Sequence, residues 1–398
     1  MRGPRLPVGI LVCASLFFAG ATTASTIPYA GVVAIEELKL ARGTFAALIL
    51  VGALIAAAAS LASGWLSDKT RDRRRWLVAC ALIGVVGHGL IYGLRNRFAF
   101  VVGYVIVAPF AETMFPQAFS YARSYYDARA PKRSQFMMSV LRTCFSAAWI
   151  LVPPVAGWFA AAGSAFDVFG IASAAYLACV AVFGVLFLDD TTKVETVAIS
   201  EGAAAPSVDA AARALPWRIG GGLLIMSAIM LHAIAVPLAI LKNFGGTIKD
   251  VGLSAGLAAS LEVPFTMLWG LAARRIPKHV LLAVNAVLYA LYLVLLSRAH
   301  SMAEVLCLQT LNAVAVSALF SLMIAYLQEA IRGRVGLSTS LYNVVLALSV
   351  VSAAGLFALA SRGDSYRVVF LVGAALAVMG AVMLLLAQRR LPQDCKIS

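Results

Sequence analysis

The feature that most constrains this chain is a series of long apolar stretches spread along its whole length. About 20 mostly apolar residues suffice to cross a hydrocarbon core as a helix. Twelve such stretches are present, near 7–34, 44–66, 76–94, 98–122, 135–161, 166–188, 217–241, 251–273, 279–297, 302–327, 336–361 and 366–388. A spanning segment must satisfy its own backbone polar groups, which makes each of them a helix. With 62% of 398 residues hydrophobic and only 13% charged, the chain lacks the polar surface that water-soluble domains of this length need. The expected class is an all-α polytopic membrane protein. Arg2, Arg5 and the small residues near 19–25 resemble a secretory leader, but apolar character continues through Pro28 and Val33, too far for a leader core. This stretch is read as the first span.

The net charge of +14 gains its meaning from placement. Loops alternate sides between spans. Of the 32 Lys and Arg residues, 22 fall on the side shared by both termini, with dense runs at 67–75 and 123–133. Nine fall on the other side, and Arg142 lies within a span. Positive loops stay cytoplasmic, so both termini are expected in the cytoplasm. The basicity is topological and does not suggest nucleic acid. The six cysteines are singletons without metal or disulfide spacing, and no cofactor or metal is expected.

The only long polar connection, 189–216, divides the chain into a six-span half at 1–188 and another at 217–398. An internal repeat supports the division. At an offset of 201, Phe119, Ser120 and Tyr125 match Phe320, Ser321 and Tyr326, and Arg142 falls on Asn343. Twelve spans in two repeated halves with a central cytoplasmic linker resemble the major facilitator architecture, whose two bundles alternately expose a midplane site. Between spans two and three, Gly64-Trp65-Leu66-Ser67-Asp68 and the following basic run, Arg73 included, resemble the loop signature of that superfamily. The resemblance implies a conformational latch of Gly64, Asp68 and Arg73. Gly64 would allow close helix approach, and Asp68 would rest on a helix N-terminus near Gly336–Thr339. Arg71 departs from the pattern, standing where a second glycine is usual.

Ionisable groups at membrane depth are functional candidates because lipid penalises unpaired charge. Five stand out: His88, Glu112, Arg142, His232 and Glu262. Arg142 is about 12 Å and Glu112 about 16 Å from the cytoplasmic ends of their spans, at about 1.5 Å per residue. Their helices are antiparallel and joined by a short loop, so an ion pair is within reach, as is separate contact with cavity water. Glu262 lies near the midplane without a local counter-ion and suits a proton carrier or a hydroxyl acceptor; Glu112 is a second proton candidate. A lone intramembrane histidine is more often a hydrogen-bonded structural residue, which is the reading for His88 and His232. Tyr29, Thr26, Gln117, Trp149, Trp269, Gln309, Asn312 and Asn343 add amides and aromatic faces of the kind that suit sugar hydroxyls and C–H faces.

Several blocks resemble the bacterial sugar efflux transporters. They are Ala111-Glu112-Thr113-Met114-Phe115-Pro116-Gln117, Ser139-Val140-Leu141-Arg142 with the following Trp149 and Pro153-Pro154, Leu261-Glu262-Val263-Pro264, and Leu308-Gln309-Thr310-Leu311-Asn312. The resemblance runs through both halves. It implies proton-driven export of sugars or glycosides across a bacterial inner (cytoplasmic) membrane, with Arg142, Trp149, Glu262, Gln309 and Asn312 carried over as site residues. Glu112 departs from the family pattern, where an uncharged polar residue is expected. A monomer working in the lipid bilayer is expected. The nearest rival is a multidrug/proton antiporter on the same fold. A membrane enzyme would want clustered His, Asp or Glu, whereas the four histidines are scattered.

Overall fold

A computed structural model of the chain describes residues 8–69, 72–194, 209–330, 335–361 and 365–389. Twelve helices among them are long and apolar enough to cross a membrane. They are α1 Val8–Glu37, α2 Arg42–Lys69, α3 Arg73–Leu94, α4 Arg97–Arg129, α5 Pro131–Ala162 and α6 Asp167–Leu188. The series continues with α7 Asp209–Lys242, α8 Ile248–Ala272, α9 Lys278–Arg298, α10 Met302–Ala330, α11 Val335–Ala360 and α12 Arg367–Arg389. The protein is thus an all-α polytopic membrane protein. Large apolar side chains such as Leu61, Met267 and Leu188 point outward, as lipid contact requires.

Two compact units divide the chain. The first comprises 1–40, 51–199 and 248–256; the second comprises 41–50, 200–247 and 257–398. In the first, α1 packs on α5 and α6, and α3 packs on α4 and α6. In the second, α7 packs on α11 and α12, and α9 packs on α10 and α12. Adding six to each helix number converts one list into the other. The core of the first unit gathers Leu16, Leu77, Met114, Tyr121, Tyr176 and Phe183 from α1, α3, α4 and α6.

Three boundaries differ from the sequence expectation. The basic stretch 123–133, expected as a loop, is almost entirely helix, because Pro131 opens α5 at its first turn and Ala130 alone leaves helical geometry (φ −149°, ψ 58°). The polar side chains here sit on helix ends that outrun the apolar core. Likewise α7 begins at Asp209, inside the stretch read as linker. Between α2 and α3, helix enters the expected loop from both sides, to Lys69 and from Arg73, and Asp72 caps α3 by accepting from the Arg74 amide at 3.1 Å.

The span carrying Glu112 is irregular for an identifiable reason. Pro109 cannot donate to Val105, and the backbone widens into a π-helical stretch at Val101–Val107. Pro116 likewise leaves the Glu112 carbonyl without its intrahelical donor. Helix resumes at Met114 after a turn at Thr113.

Candidate transport site

Helix α5 presents a polar face around Arg142. Gln135, Ser139, Arg142 and Thr143 are exposed, and Ser146 and Trp149 follow half-buried. Their spacing of four, three, one, three and three residues holds them on one side of the helix. Ser139 donates to the Gln135 carbonyl at 3.2 Å and Thr143 to the Ser139 carbonyl at 3.1 Å, so both hydroxyls lie along the face beside the guanidinium. The spans that leave most surface open recur six apart: in their most apolar 18-residue windows, 17% and 22% of residues are buried in α2 and α8, and 28% in each of α5 and α11. Three of these four carry Arg142, Glu262 and Asn343. Gln135, Ser139 and Thr143 extend the face beyond what spacing from Arg142 alone had singled out.

Glu112 on α4 is also exposed. It and Arg142 form no ion pair among the described residues, so the pairing that the antiparallel helices allow is not made here. The two side chains are presented separately. Nearby, Gln117 donates to the Ser63 hydroxyl at 3.4 Å, a hydroxyl that also accepts from the Trp76 indole at 2.7 Å.

In the second unit, Glu262 is half-buried on α8. Its backbone carbonyl accepts from Thr266 Oγ1 at 2.8 Å, while Trp269 is tied to the Val314 carbonyl at 2.9 Å, which bonds α8 to α10. Gln309 and Asn312 are nearly fully buried on α10, with Asn312 Nδ2 donating to Gln309 Oε1 at 2.8 Å. Asn312 Oδ1 has no partner among the described residues, which leaves one acceptor of the pair open. Asn343 is exposed on α11.

Other expected site residues serve packing. Tyr29 is 0% exposed, and its hydroxyl donates to the Pro153 carbonyl at 2.7 Å. A Cβ on Gly157 or Gly252 would come within 2.6 Å or 2.2 Å of that hydroxyl, so the phenol is enclosed between backbones and offers nothing to a ligand. This corrects its expected substrate contact. Thr26 is buried and bonds back to the Thr22 carbonyl at 2.9 Å. His88 is buried with Nδ1 3.0 Å from the Gly84 carbonyl of its own helix and its ring beside Tyr176 at 5.2 Å, a structural arrangement. Of the expected latch, Arg73 is bonded to the Ser120 hydroxyl on α4. The Gly64 and Asp68 side chains, and the contact expected near Gly336–Thr339, lie outside the described residues.

The arginine that sequence reasoning missed is Arg74, counted only as one more cytoplasmic cation. It is 2% exposed. Nε and Nη2 grip both Asp72 oxygens at 2.9 and 2.8 Å, and Nη1 reaches the Leu186 and Asp189 carbonyls and Thr192 Oγ1, each at 2.8 Å. Burial works to raise the Asp72 pKa, but the hydrogen bonds and charge of Arg74, with Arg75 behind, outweigh it and hold the carboxyl below its ordinary value. The cluster ties the start of α3 to the end of α6.

The model of the Major Facilitator Superfamily matches residues 12–230 and 219–396. Sugar efflux transporter B of Salmonella typhimurium (strain LT2) is 30% identical over 323 residues, 81% of this chain and 80% of the relative. A putative sugar efflux transporter of Deinococcus radiodurans is 25% identical over 392 residues, 97% and 99% of the two chains. Sugar efflux transporter C of Escherichia coli (strain K12) is 28% identical over 379 residues, 93% of each. Among solved structures, the POT family transporter PepTSo superposes with a TM-score of 0.78 at 11% identity, covering 97% of this chain and 98% of that one. The nucleoside transporter NupG does so with 0.75 at 12% identity, covering 96% and 99%. These two likenesses speak for the fold. The matches over nearly the whole chain show that it belongs to the sugar efflux transporter family of the Major Facilitator Superfamily, a family of transport proteins and not of enzymes.

Proposed function

We propose that this chain is a proton-coupled exporter of sugars or glycosides that works by alternating access, with both termini on the cytoplasmic face of a bacterial inner membrane. The observation that carries the reading is the exposed polar face of α5 centred on Arg142. A guanidinium held at membrane depth without a carboxylate partner among the described residues must face water, because lipid would not tolerate it. Flanked by Ser139, Thr143 and the ring of Trp149, it offers a fixed donor fork, hydroxyls and an apolar plane, a set that suits a polyhydroxylated ring. The names of the relatives agree with that chemistry.

In this reading Arg142, Trp149 and Gln117 contribute sugar contacts from the first half, 1–188, and Glu262, Gln309, Asn312 and Asn343 contribute them from the second, 217–398. The linker 189–216 joins the halves. Glu262 carries the coupled proton, with Glu112 as a second titrating group, and protonation at one face competes with sugar so that the two move in opposite directions. Gly64, Asp68 and Arg73 latch the cytoplasmic side, and one chain transports as a monomer.

The test is uptake by everted membrane vesicles that contain the overexpressed protein, using glucose, lactose, an aryl glucoside and a lipophilic cation as probes. Uptake of a sugar that rises with an imposed proton gradient and collapses with a protonophore supports the proposal. Gradient-driven uptake of the lipophilic cation with no sugar uptake would replace it by multidrug/proton antiport.

A further inference from the structure

The second unit carries an apolar groove between α9 and α12 that sugar transport does not use. Its volume is about 610 Å³, with Val287, Leu291 and Val294 on one wall and Leu371, Ala375 and Val378 on the other. Ala290 and Ala374 are nearly buried and line its floor. The helices run close beneath it, since a Cβ on Gly373 would come within 3.1 Å of Leu293.

Both walls lead to an arginine. On α9, positions 287, 291, 294 and 298 are four, three and four residues apart, so Arg298 shares the groove face one turn beyond Val294. On α12, positions 367, 371, 374 and 378 repeat that spacing and set Arg367 one turn beyond Leu371. Both arginines are exposed. These helix ends meet, because Arg367 Nη2 donates to His300 Nδ1 at 3.2 Å, two residues past Arg298. Neither arginine forms an ion pair among the described residues. The carboxylate of Glu304 accepts instead from the His300 amide at 3.0 Å and the Ser301 hydroxyl at 3.1 Å. The corresponding ends in the first unit differ. There Arg95 follows α3, Asp167 opens α6, and the two are paired at 3.1 Å. In the second unit an arginine opens α12 in place of the acid, and two like charges stand at the mouth of an apolar groove. Such a mouth favours an anion from outside the protein.

The dimensions select what carries that anion. The lining rises about 12 Å from Leu371 to Met379 and about 10 Å from Val287 to Val294, beginning about 6 Å below the arginines, at about 1.5 Å per residue. That lies within one leaflet, half of a hydrocarbon core of roughly 30 Å. A partner helix would use a face running through both leaflets, whereas a lipid tail occupies one.

We propose that the groove binds one anionic phospholipid, with an acyl chain along Ala290 and Ala374 and the phosphate held by Arg298 and Arg367. The guanidinium fork matches phosphate oxygens in pairs, and basic groups beside membrane helices recognise anionic headgroups in this way. In the proposed orientation the lipid belongs to the outer leaflet. The site stands on α9 and α12 alone and is independent of which sugar is carried.

The test is intact-complex mass spectrometry of the detergent-purified chain. Equal amounts of palmitoyl-oleoyl phosphatidylglycerol and of the phosphatidylcholine with the same tails are added. Wild type is expected to retain one phosphatidylglycerol at about ten times the level of phosphatidylcholine, and the double variant Arg298→Gln, Arg367→Gln to retain the two lipids about equally. Ala375→Trp, which fills the groove from an exposed position, is expected to lower retention of both lipids about fivefold. Equal retention by wild type, or a preference that survives in the double variant, would overturn the site. So would undiminished retention in Ala375→Trp, or displacement of the lipid by an equal concentration of glycerol 3-phosphate, since either marks an anion site without a tail. A two-chain species that Ala375→Trp converts to single chains would give the groove to a second copy and overturn it too. The tryptophan variant and the glycerol phosphate competition keep the test decisive if the double variant folds poorly.

Discussion

At the scale of single residues, two arginines show how little a charge reveals until its surroundings are known. Arg74 is buried and spends its donors on Asp72, Leu186, Asp189 and Thr192, whereas Arg142 is exposed at membrane depth with no ion pair among the described residues. Asp72 has a lowered pKa in the folded protein, so its contribution to stability is present above the ordinary carboxylate value and is lost as pH falls through the folded one. Asp72→Asn is expected to destabilise the detergent-purified protein by about 1–3 kcal/mol at neutral pH, the range for a charge-assisted hydrogen bond. Its loss of stability on acidification below about pH 4, near the reference carboxylate pKa, is expected to be smaller than that of wild type. Thermal melts across pH check both. For Arg142, Arg142→Gln is expected to lower sugar binding at least tenfold while leaving the melting temperature within a few degrees, measured by tryptophan fluorescence or calorimetry. Arg142 was legible because it stood alone inside a span. Arg74 was not, because its partners Leu186, Asp189 and Thr192 lie more than 110 positions away and cation counting treats every loop arginine alike.

At the scale of elements, prolines and glycines decide how the spans deviate from straight rods. The break of α4 at Thr113 follows from the missing donors of Pro109 and Pro116. Pro116→Ala is expected to restore a donor to the Glu112 carbonyl, straighten α4 and slow transport severalfold without loss of folded protein, as read by uptake and by size-exclusion yield. Less legible was the close approach around Tyr29. Gly252 permits α8 to lie on the Pro153 carbonyl, where a Cβ would sit 2.2 Å away. Gly252→Ala is therefore expected to cost about 1–3 kcal/mol, the usual range for overpacking, whereas Gly43→Ala, whose Cβ would meet nothing within 4 Å, is expected to be neutral in the same melts. Hydrophobic periodicity locates a helix but does not say which glycine faces another backbone, so Tyr29 read as a ligand residue when it is a packing residue. The helical extensions at 123–133 and 209–216 were missed for a related reason: apolar runs mark what crosses lipid, and helices continue into water beyond them.

At the scale of the whole molecule, the class and the number of spans were legible because lipid allows so few alternatives to the apolar helix. The packing itself repeats after six helices, since α1, α3, α5 and α6 pair as α7, α9, α11 and α12 do. The transport chemistry is less legible. Side chains that meet water inside the membrane and those that meet lipid share the same spans, and only exposure combined with charge separates them. The proposed orientation predicts that cysteines introduced at Arg129 or Lys193 react with a membrane-impermeant thiol reagent only from the cytoplasmic side, and those at Lys39 or Arg298 only from outside. The most direct measurement of the central claim uses purified protein in sealed vesicles loaded with lactose and an internal pH dye. Outward flow of lactose is predicted to drive protons inward and acidify the lumen, with the signal abolished by a protonophore and reduced at least tenfold in Glu262→Gln. Lactose leaving at an undiminished rate with no change in internal pH would contradict it.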